Sequence, residues 1–506
     1  MTNDSTLANR WPIFATMKLS DYPHLILIRP TGELATKSRH TRRRFQRILV
    51  DNLEDALAAS GVSYQVSDDW GRCWVGVSSL ECLDVIARVF GIASLSAVEA
   101  TAEARLDAII EVGERTYGER VRGRKFAVRA RRVGHHPFTS LDINYKLGSA
   151  LDRYGRVDLR HPDVAVCVEV RQDEAYFFSQ RLSAGGGLPA GVEGLAVSLV
   201  SGGYDSAVAA WMMLKRGVAL DYVFCNLAGG AYERAVLCVA KLLADEWSFG
   251  LRPRIHVVDF EAILQQLKDR VQENYWQVVL KRLMYRTADQ IAEQVGAQAI
   301  ITGEAVGQVS SQTLANLRAI DAVARTPVLR PLAGFDKQEI IERSRLIGTY
   351  ALSEKVREHC ALTERRPVTD STPESVALHE EGLDLAELDE AIVGRRIIDL
   401  RCLEASDLVL PYLYVASIPS QAVVVDTRPR RQYDAWHFPG AVHHDFWRLF
   451  ADPGDLDRQR SYVLYCEIGL LTAQLAEKLQ RAGFEAYSFK GGARLLREYA
   501  EGLQPA

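Results

Sequence analysis

Ser201-Gly202-Gly203-Tyr204-Asp205-Ser206 is the stretch that decides the fold of this chain. It follows an apolar run, GLAVSLV at 194–200, that predicts a buried strand, and it precedes AVAAWMMLK at 207–215, which predicts a helix. Glycines in such a turn let backbone N–H groups approach phosphate oxygens, and the start of a helix adds positive potential. Ser201 and Ser206 add hydroxyl donors. The stretch therefore predicts an anion-binding loop in an α/β fold.

Asp205 needs a different explanation, because a carboxylate and a phosphate repel each other. A carboxylate beside a polyphosphate usually holds Mg²⁺, and this is the role expected of Asp205. No Gly-Lys-Ser/Thr follows the loop, so it is not a Walker P-loop. The loop resembles SGGxDS, the pyrophosphate loop of ATP-pyrophosphatase enzymes. That resemblance implies cleavage of ATP between its α and β phosphates and adenylation of an oxygen on the substrate.

Apolar strands alternate with helical stretches between about residues 194 and 334, which predicts a parallel sheet covered by helices on both faces. The predicted strands are Leu195–Val200, Tyr222–Leu227, Ile255–Phe260 and Ala299–Thr302. Ligands of such sheets lie at the carboxyl ends of the strands, and the serine-glycine loop occupies such an end. A smaller α/β unit is predicted from Val423 onward.

Length and composition indicate several ordinary globular domains. The chain has 506 residues, 48% hydrophobic and 25% charged, which suggests three or four domains. The net charge of −4 argues against a uniformly basic nucleic-acid protein but leaves room for local basic faces. No apolar run is long enough to span a bilayer, and the first residues lack the pattern of a signal peptide. Eight cysteines without a CxxC pair do not form a disulfide scaffold, so we expect a reduced, cytoplasmic protein.

The first half of the chain is predicted to hold small α+β units. Strands are expected at 24–29, 73–77, 125–131 and 164–170, and helices at 42–59, 83–90 and 101–118. Glycines at 185–187 indicate a linker. The expected divisions are an extension over 1–20, a small ferredoxin-like domain over 21–80, a second domain over 81–184, the loop-bearing domain over 192–368, an acidic, Ser- and Pro-rich linker over 369–400, and a last domain over 401–506.

Two basic clusters stand out in this half. Their members are Lys37, Arg39, Arg42, Arg43, Arg44 and Arg47, and then Arg120, Arg122, Arg124, Lys125, Arg129, Arg131 and Arg132. In a strand, Lys125, Arg129 and Arg131 share one face, opposite an apolar face. Such a face suits a nucleic-acid backbone, although a solvated charged surface explains it equally well.

Residues 125–176 resemble the THUMP domain of RNA-modifying enzymes. The resemblance lies in VRARR at 128–132, HPFTS at 136–140, LDINYKLG at 141–148 and HPD at 161–163. It implies binding to tRNA near the acceptor end, by backbone shape rather than base reading. The residues expected to contact the RNA are Arg122, Arg124, Lys125, Arg129 and Arg131.

Two cysteines have contexts that suggest chemistry. Cys466 ends an apolar strand and precedes a short loop and a helix over 473–482, so loop amides can hold a thiolate or a persulfide. This setting resembles the active loop of rhodanese domains, as do DTR at 426–428 and HFPGA at 437–441. Glu467 departs from that pattern, and a carboxylate there disfavours a thiolate, which puts thiosulfate use in more doubt than transfer from a protein persulfide. Cys360 lies in EHCA at 358–361, just after the loop-bearing domain.

The order of these parts resembles the tRNA 4-thiouridine synthase family in its form with a rhodanese tail, from about Met17 to the C-terminus. The best-matching segments are ITGEAVGQVSSQT at 301–313 and LRPL at 329–332, with DKQEI at 336–340. The resemblance implies an ATP site formed by Leu199, Val200, Ser201, Gly202, Gly203, Ser206, Lys281, Gly303 and Gln312. Lys281 suits the phosphates as a cation, and Gln312 suits an adenine edge or a phosphate.

The mechanism that the resemblance implies has two stages. ATP with Mg²⁺ adenylates O4 of uridine 8 in tRNA, while a cysteine desulfurase loads sulfur onto Cys466 as a persulfide. The terminal sulfur displaces AMP, and Cys360 either resolves the reaction by forming a disulfide with Cys466 or helps to release free sulfide. The resemblance also implies homodimers and a second duty in thiamine synthesis, with a sulfur carrier protein as partner. Three alternatives stay open: a pyrophosphate-loop enzyme acting on a small molecule, a noncatalytic RNA-binding protein, and a sulfur carrier serving only thiamine synthesis.

Overall fold

The computed structural model describes residues 19–69, 72–354, 356, 367–408, 410–451, 453–454, 456–467 and 469–502. The chain divides into two compact units, the first comprising 1–192 with 215–217 and the second 193–214 with 218–506. Almost all of the expected extension over 1–20 lies outside the described residues. Among the residues that are described, no helix combines the length and apolarity needed to cross a bilayer.

The first unit begins with a small sheet covered by a long helix. Its elements are β1 (His24–Pro30), α1 (Gly32–Ala35), α2 (Arg39–Ala59), β2 (Tyr64–Asp69), β3 (Arg72–Val77), α3 (Leu83–Ala87) and β4 (Ile92–Val98). The apolar run that predicted β1 is its buried centre, with Ile26, Leu27 and Ile28 fully shielded from solvent. Because β4 pairs antiparallel with β1, this sheet extends past the boundary expected at residue 80.

A second sheet completes the first unit. Its elements are β5 (Ala100–Glu103), α4 (Leu106–Val121), β6 (Lys125–Val133), α5 (Ser140–Asp152), β7 (Arg156–Val157), β8 (Val164–Arg171) and β9 (Glu174–Phe178), in the order β5-β9-β8-β6-β7. The predicted strand over 125–131 is confirmed as part of β6, whereas Thr101–Glu103 form a strand rather than the start of a helix. β10 (Leu182–Ser183) returns to the first sheet, whose order is β10-β4-β1-β3-β2.

The second unit contains the predicted parallel sheet. Its elements are β11 (Leu195–Leu199), α6 (Tyr204–Lys215), β12 (Ala219–Asn226), α7 (Gly230–Trp247), β13 (Arg254–Asp259), α8 (Glu261–Arg270), α9 (Trp276–Val295), β14 (Ile300–Ile301), α10 (Leu314–Asp321), β15 (Val328–Leu329), α11 (Lys337–Leu346) and α12 (Tyr350–Ser353). These strands are parallel and lie in the order β15-β14-β11-β12-β13. The order reverses between β11 and β14, so the loops that follow these two strands diverge around a crevice.

The prediction that residues 369–400 form a linker is wrong. That stretch forms α13 (Pro373–Glu380), α14 (Leu385–Val393) and β16 (Arg396–Asp399), and β16 pairs antiparallel with β13. Val376, Leu388 and Ile392 are buried in the core of the parallel-sheet domain. Acidic and Ser/Pro-rich composition indicated a linker, but three well-placed apolar side chains are enough to anchor the two helices.

A parallel sheet with helices ends the chain. Its elements are β17 (Tyr414–Val415), β18 (Val423–Asp426), α15 (Arg430–Ala435), β19 (Val442–His443), α16 (Phe446–Ala451), β20 (Ser461–Tyr465), α17 (Leu470–Arg481), β21 (Glu485–Phe489) and α18 (Gly492–Ala500). The strand order is β17-β21-β20-β18-β19. β20 is central and ends immediately before Cys466, so the sheet presents this cysteine at the carboxyl end of its middle strand, as the sequence predicted.

Candidate functional site

A cavity of about 420 Å³ opens where the strand order of the second unit's larger sheet reverses. Residues predicted for the nucleotide site surround it: Leu199, Val200, Ser201, Asp205, Ser206, Lys281, Gly303 and Gln312. They come from the ends of β11 and β14, from α6, from α9 and from the loop after β14. The structure thus brings segments more than one hundred residues apart to one place.

The serine-glycine loop is held by its own side chains. The Ser206 hydroxyl accepts a hydrogen bond from the Ser201 N–H at 3.3 Å and donates to the Gly203 carbonyl at 3.3 Å. Gly202 has a φ of +76°, a backbone conformation that favours glycine. Since α6 begins at Tyr204, its first N–H groups have no helical partner. The loop therefore offers a cradle of backbone donors beside the cavity.

Gly303 allows the loop after β14 to approach the start of α6. A Cβ atom at this position would lie 2.5 Å from the Asp205 carbonyl carbon and 2.6 Å from the Ser206 nitrogen. Real Cβ atoms do not approach backbone this closely, so any other residue would push the two loops apart. Gln312, at the far end of the same loop, accepts a hydrogen bond from the Ala305 N–H at 3.3 Å.

Asp205 is almost completely buried beside the cavity and has two side-chain partners. The Lys337 ammonium approaches its two oxygens at 2.8 and 3.1 Å, and the Gln308 amide donates to it at 2.7 Å. Both partners lie in the segments 301–313 and 336–340, which carry the family resemblance, but neither was predicted as a site residue. The ion pair holds the carboxylate at the start of α6.

Lys281 is paired with a carboxylate that the sequence reasoning missed. Its ammonium lies 2.7 Å from Glu304, and the Arg330 guanidinium lies 2.9 Å from the other oxygen of the same carboxylate. The Tyr285 hydroxyl also donates to Glu304, at 2.5 Å. Burial opposes ionisation here, but the two cations outweigh it and lower the pKa of Glu304 to about 2. Glu304 therefore stays charged and fixes Lys281 at the wall of the cavity.

α7 supplies a further contact to the serine-glycine loop. The Tyr232 hydroxyl, which also lines the cavity, donates to the Ser201 carbonyl at 3.2 Å. The side chain of Val236, one turn later, lies against Gly202. Val356 packs against the same glycine. Cys360, predicted to act with Cys466, follows Val356 closely in sequence but lies outside the described residues.

Cys466 carries a free thiol whose sulfur accepts hydrogen bonds from the Gly469 N–H at 3.2 Å and from the Thr472 hydroxyl at 3.6 Å. Gly469 has a φ of +83° and begins the turn into α17. These donors suit a thiolate or persulfide sulfur, as the sequence predicted. The cysteine itself is only 6% exposed in this arrangement.

Glu467, the residue that departed from the rhodanese pattern, points outward and is 64% exposed. Its carboxylate lies 3.6 Å from the Arg428 guanidinium. Arg428 is buried and already committed to Asp426, which it contacts at 2.7 Å, and to the Trp436 carbonyl at 2.6 Å. The cation nearest to this carboxylate is therefore occupied by other partners.

The predicted RNA-contacting residues occupy the first unit. Arg129 and Arg131 are exposed along β6, on the same face as Lys125, while the intervening Phe126 and Val128 are buried. The predicted alternation is interrupted at Ala127, which shares the face of Lys125 and Arg129 but is buried. Two predicted residues have acidic neighbours: Arg122 pairs with Glu119 at 2.5 Å, and Lys125 with Asp158 at 3.2 Å. Arg124 is exposed at the turn before β6.

Comparison with protein families divides the chain into four matched regions. Residues 25–96 match the "ThiI ferredoxin-like domain", 103–180 the "THUMP domain", 191–385 "Thiamine biosynthesis protein (ThiI)" and 413–497 the "Rhodanese-like domain". The fold class predicted from the sequence, with its four kinds of domain, is thereby confirmed.

The similar proteins include tRNA sulfurtransferases. A tRNA sulfurtransferase of Desulfurococcus amylolyticus is 39% identical over 483 residues, covering 94% of this chain and 98% of that protein. A tRNA sulfurtransferase of Photorhabdus laumondii is 33% identical over 472 residues, covering 91% and 98%. Among solved structures, a 4-thiouridine synthetase–RNA complex with bound ATP is 32% identical, with a TM-score of 0.66, and covers 74% of this chain and 99% of that one. PH1313 from Pyrococcus horikoshii is 27% identical, with a TM-score of 0.51, over 64% and 99%.

Proposed function

Because the chain belongs to the tRNA sulfurtransferase family, we propose that it uses ATP to convert uridine 8 of tRNA to 4-thiouridine with sulfur carried on Cys466. The observation that carries the proposal is the cavity at the strand reversal, where the serine-glycine loop meets Lys281 and Gln312. Backbone donors on one wall and a cation on the other suit a polyphosphate. The related 4-thiouridine synthetase was solved with ATP and RNA bound.

Magnesium fits the same cavity. Mg²⁺ in nucleotide sites is usually held by one or two carboxylates together with the phosphates, and Asp205 supplies one such carboxylate beside the cavity. Among the described residues no cluster of three or more His, Cys, Asp or Glu side chains is arranged to hold a metal, so the phosphates would complete the coordination. Bound there, Mg²⁺ would offset phosphate charge. Lys337, which lies beside Asp205, would then be able to turn toward the phosphates.

The first stage is adenylation. The uridine O4 attacks the α-phosphate of ATP, the bond to the β-phosphate breaks and pyrophosphate leaves. Lys281, fixed by Glu304, faces the negative charge that develops on the phosphates. The loop amides between Ser201 and Ser206 bind oxygens that carry the same charge. Adenylation joins O4 to the AMP phosphate, so that a poor leaving group at C4 is replaced by a good one, AMP.

The second stage is sulfur transfer. The terminal sulfur of the Cys466 persulfide attacks C4, and AMP leaves with the electron pair. Cys360 then attacks Cys466, which leaves sulfur on C4 and forms a Cys360–Cys466 disulfide. A cellular dithiol reductant resets the pair, in keeping with a cytoplasmic enzyme. We propose a cysteine desulfurase as the donor that loads Cys466, and a homodimer as the assembled form.

The test is a reconstituted reaction with unmodified tRNA, ATP, cysteine and a cysteine desulfurase. Asp205→Ala should abolish pyrophosphate release, and Cys466→Ala or Cys360→Ala should abolish 4-thiouridine, measured by mass spectrometry of nucleosides, without loss of tRNA binding. Cys402→Ala, at an exposed cysteine, is the matched control. Full thiolation by Cys466→Ala would refute the assigned role. Pyrophosphate release without tRNA would favour a small-molecule substrate.

A second function, sulfur supply for the thiazole of thiamine, follows from the family description matched by residues 191–385. It would need Cys466 and a thiamine-pathway sulfur carrier protein, but not the nucleotide cavity. We therefore expect a strain with Cys466→Ala to require thiamine and a strain with Asp205→Ala to grow without it. Equal growth of both strains without thiamine would remove this second function.

A further inference from the structure

The C-terminal domain sits on the amino-terminal end of α7, and one carboxylate makes the central contact. Glu477, on α17, accepts hydrogen bonds from the Gly230 N–H at 2.8 Å and the Ala231 N–H at 2.7 Å. Glu477 is only 6% exposed. α7 has no side-chain cap of its own from its N-cap residue Gly229. A carboxylate from another domain therefore satisfies N–H groups that would otherwise lack a partner.

The surfaces on both sides are shaped for this contact. A Cβ atom on Gly229 would lie 2.7 Å from the Arg481 guanidinium and 2.9 Å from the Glu477 carboxylate. Ala231 on α7 and Ala473 on α17 are both buried in one small apolar cluster. Small residues here let the two helices approach closely enough for the carboxylate to reach the backbone.

The contact lies beside the sulfur-carrying loop. α17 begins immediately after that loop, and Ala473 and Glu477 lie on its first two turns. The Tyr414 hydroxyl accepts a hydrogen bond from Arg234 of α7 at 2.8 Å. Burial first, and then the nearby Cys466 thiol, raise the pKa of Tyr414, although Arg234 acts against them. Tyr414 therefore contacts α7 and lies close to Cys466.

The same helix separates Cys466 from the nucleotide cavity. Tyr232 and Val236, one helical turn apart, face the serine-glycine loop. Ala231 and Arg234 lie on the other side of α7 and face the C-terminal domain. A helix with its side chains is about 10 Å thick, so α7 holds the contact face of the C-terminal domain about that far from the serine-glycine loop.

From this geometry we infer that the structure shows a parked state, in which the carboxylate of Glu477 latches the C-terminal domain to the end of α7 and keeps Cys466 from both its donor and the cavity. The inference rests on the sulfur-carrying role proposed for Cys466. Release of the latch, together with exposure of Leu413, which is buried with Ala231 and Ala473, leaves the domain connected through residues 400–413 between β16 and β17. Fourteen residues span at most about 50 Å when extended, which is enough to carry the domain around α7.

The test measures how fast iodoacetamide alkylates Cys466 in the full chain, by peptide mass spectrometry. Glu477→Ala should raise the rate about tenfold, since two charge-assisted hydrogen bonds are lost, and Glu477→Gln should fall between it and the original chain. Glu498→Ala is the matched control, because Glu498 lies in the same domain and pairs with Arg494 on α18. Tyr414→Phe, which removes the acceptor of Arg234, should act in the same direction with a smaller effect, and it remains informative if Glu477→Ala does not fold.

The rate of 4-thiouridine formation distinguishes a contact that holds Cys466 away from the cavity from a contact that helps to deliver sulfur there. If the latch parks the domain, Glu477→Ala forms 4-thiouridine at least as fast as the original chain. An unchanged alkylation rate in folded Glu477→Ala and Tyr414→Phe would overturn the inference, and so would slower thiolation by a folded variant. If the original chain makes no 4-thiouridine but the alkylation rates still differ, the latch stands and the proposed function fails.

Discussion

At the scale of single residues, the sequence predicted candidate positions for the chemistry but not the residues that contact them. Cys466 and Asp205 were identified because each follows a strand in a recognisable local pattern. Glu304 was quoted within a matched segment but not singled out, since its role comes from meeting Lys281 and Arg330, which lie elsewhere in the chain. Local sequence predicts a motif, whereas an ion pair between distant segments depends on the whole fold.

Glu467 should select the sulfur donor by charge. Thiosulfate is a dianion, and an exposed carboxylate beside Cys466 repels it. Arg428 lies 3.6 Å from Glu467 but also pairs with Asp426, so it offsets only part of this charge. At about 6 Å and an effective dielectric constant of about 40, one unit charge changes its interaction with a dianion by about 2.8 kcal/mol, or about one hundredfold in rate. We expect Glu467→Arg to raise thiosulfate:cyanide sulfur transfer by at least about tenfold.

In that reaction the outer sulfur of thiosulfate joins Cys466, the S–S bond of thiosulfate breaks and sulfite leaves with the electron pair. Glu467→Gln removes the charge without reversing it and should give an intermediate rate. Unchanged thiosulfate turnover in Glu467→Arg, with Cys466 still alkylated normally, would exclude a selective role for this carboxylate.

Glu304 gives a prediction about pH. Its pKa is lowered to about 2, below the unfolded value near 4.3, so the stability it contributes is present above about pH 4.3 and is lost as pH falls toward 2. Glu304→Gln should therefore be less stable than the original chain by a constant amount from pH 7 to pH 5, with a smaller difference below pH 4.3. Urea unfolding at fixed pH steps measures this gap. A gap that closes already near pH 6 would contradict the assignment.

At the scale of secondary-structure elements, strands with continuous apolar runs were predicted correctly, whereas short elements at the edge of the sheet or core were missed. The strands with continuous apolar runs, such as β1 and β12, lie where the sequence placed them. β16 was missed because an edge strand of four residues, with Arg396 and Ile397 exposed, carries no such run. α13 and α14 were missed because their buried residues are few and separated by acidic ones. Short elements take their structure from the sheet or core that they join.

The close approach between the loop after β14 and α6 depends on one glycine. Gly303→Ala places a methyl group 2.5 Å from the backbone at Asp205, so the two loops must separate and the cavity must distort. We expect about 1–3 kcal/mol of lost stability and at least a tenfold rise in the KM for ATP, measured by pyrophosphate release. Gly334→Ala is the control, because a Cβ there meets open space. Equal KM values for the two variants would show that this approach does not shape the nucleotide site.

At the scale of the whole molecule, four matched regions lie in one chain, and the proposed function gives RNA binding, nucleotide activation and sulfur transport to different ones. The net charge of −4 concealed the basic face of β6, which becomes visible only when strand alternation separates Arg129 and Arg131 from their buried neighbours. What the sequence could not predict is the arrangement of the C-terminal domain on α7. That contact is made through backbone N–H groups. Every residue except proline has one, so the sequence does not show which of them take part.

The basic face of β6 should determine how strongly tRNA binding depends on salt. Each phosphate neutralised by an Arg or Lys releases counterions, so the slope of log K against log salt grows by about 0.7–0.9 per contact. Arg129→Glu with Arg131→Glu should weaken tRNA binding at least about tenfold and reduce the magnitude of that slope by about 1–2, measured by filter binding at several salt concentrations. Arg494→Glu on α18 reverses one charge on the sulfur-carrying domain, half the charge change of the double variant, and should leave both values unchanged. If the two variants behaved alike, the RNA would be bound elsewhere, and the pyrophosphate-loop chemistry would need another route to its uridine.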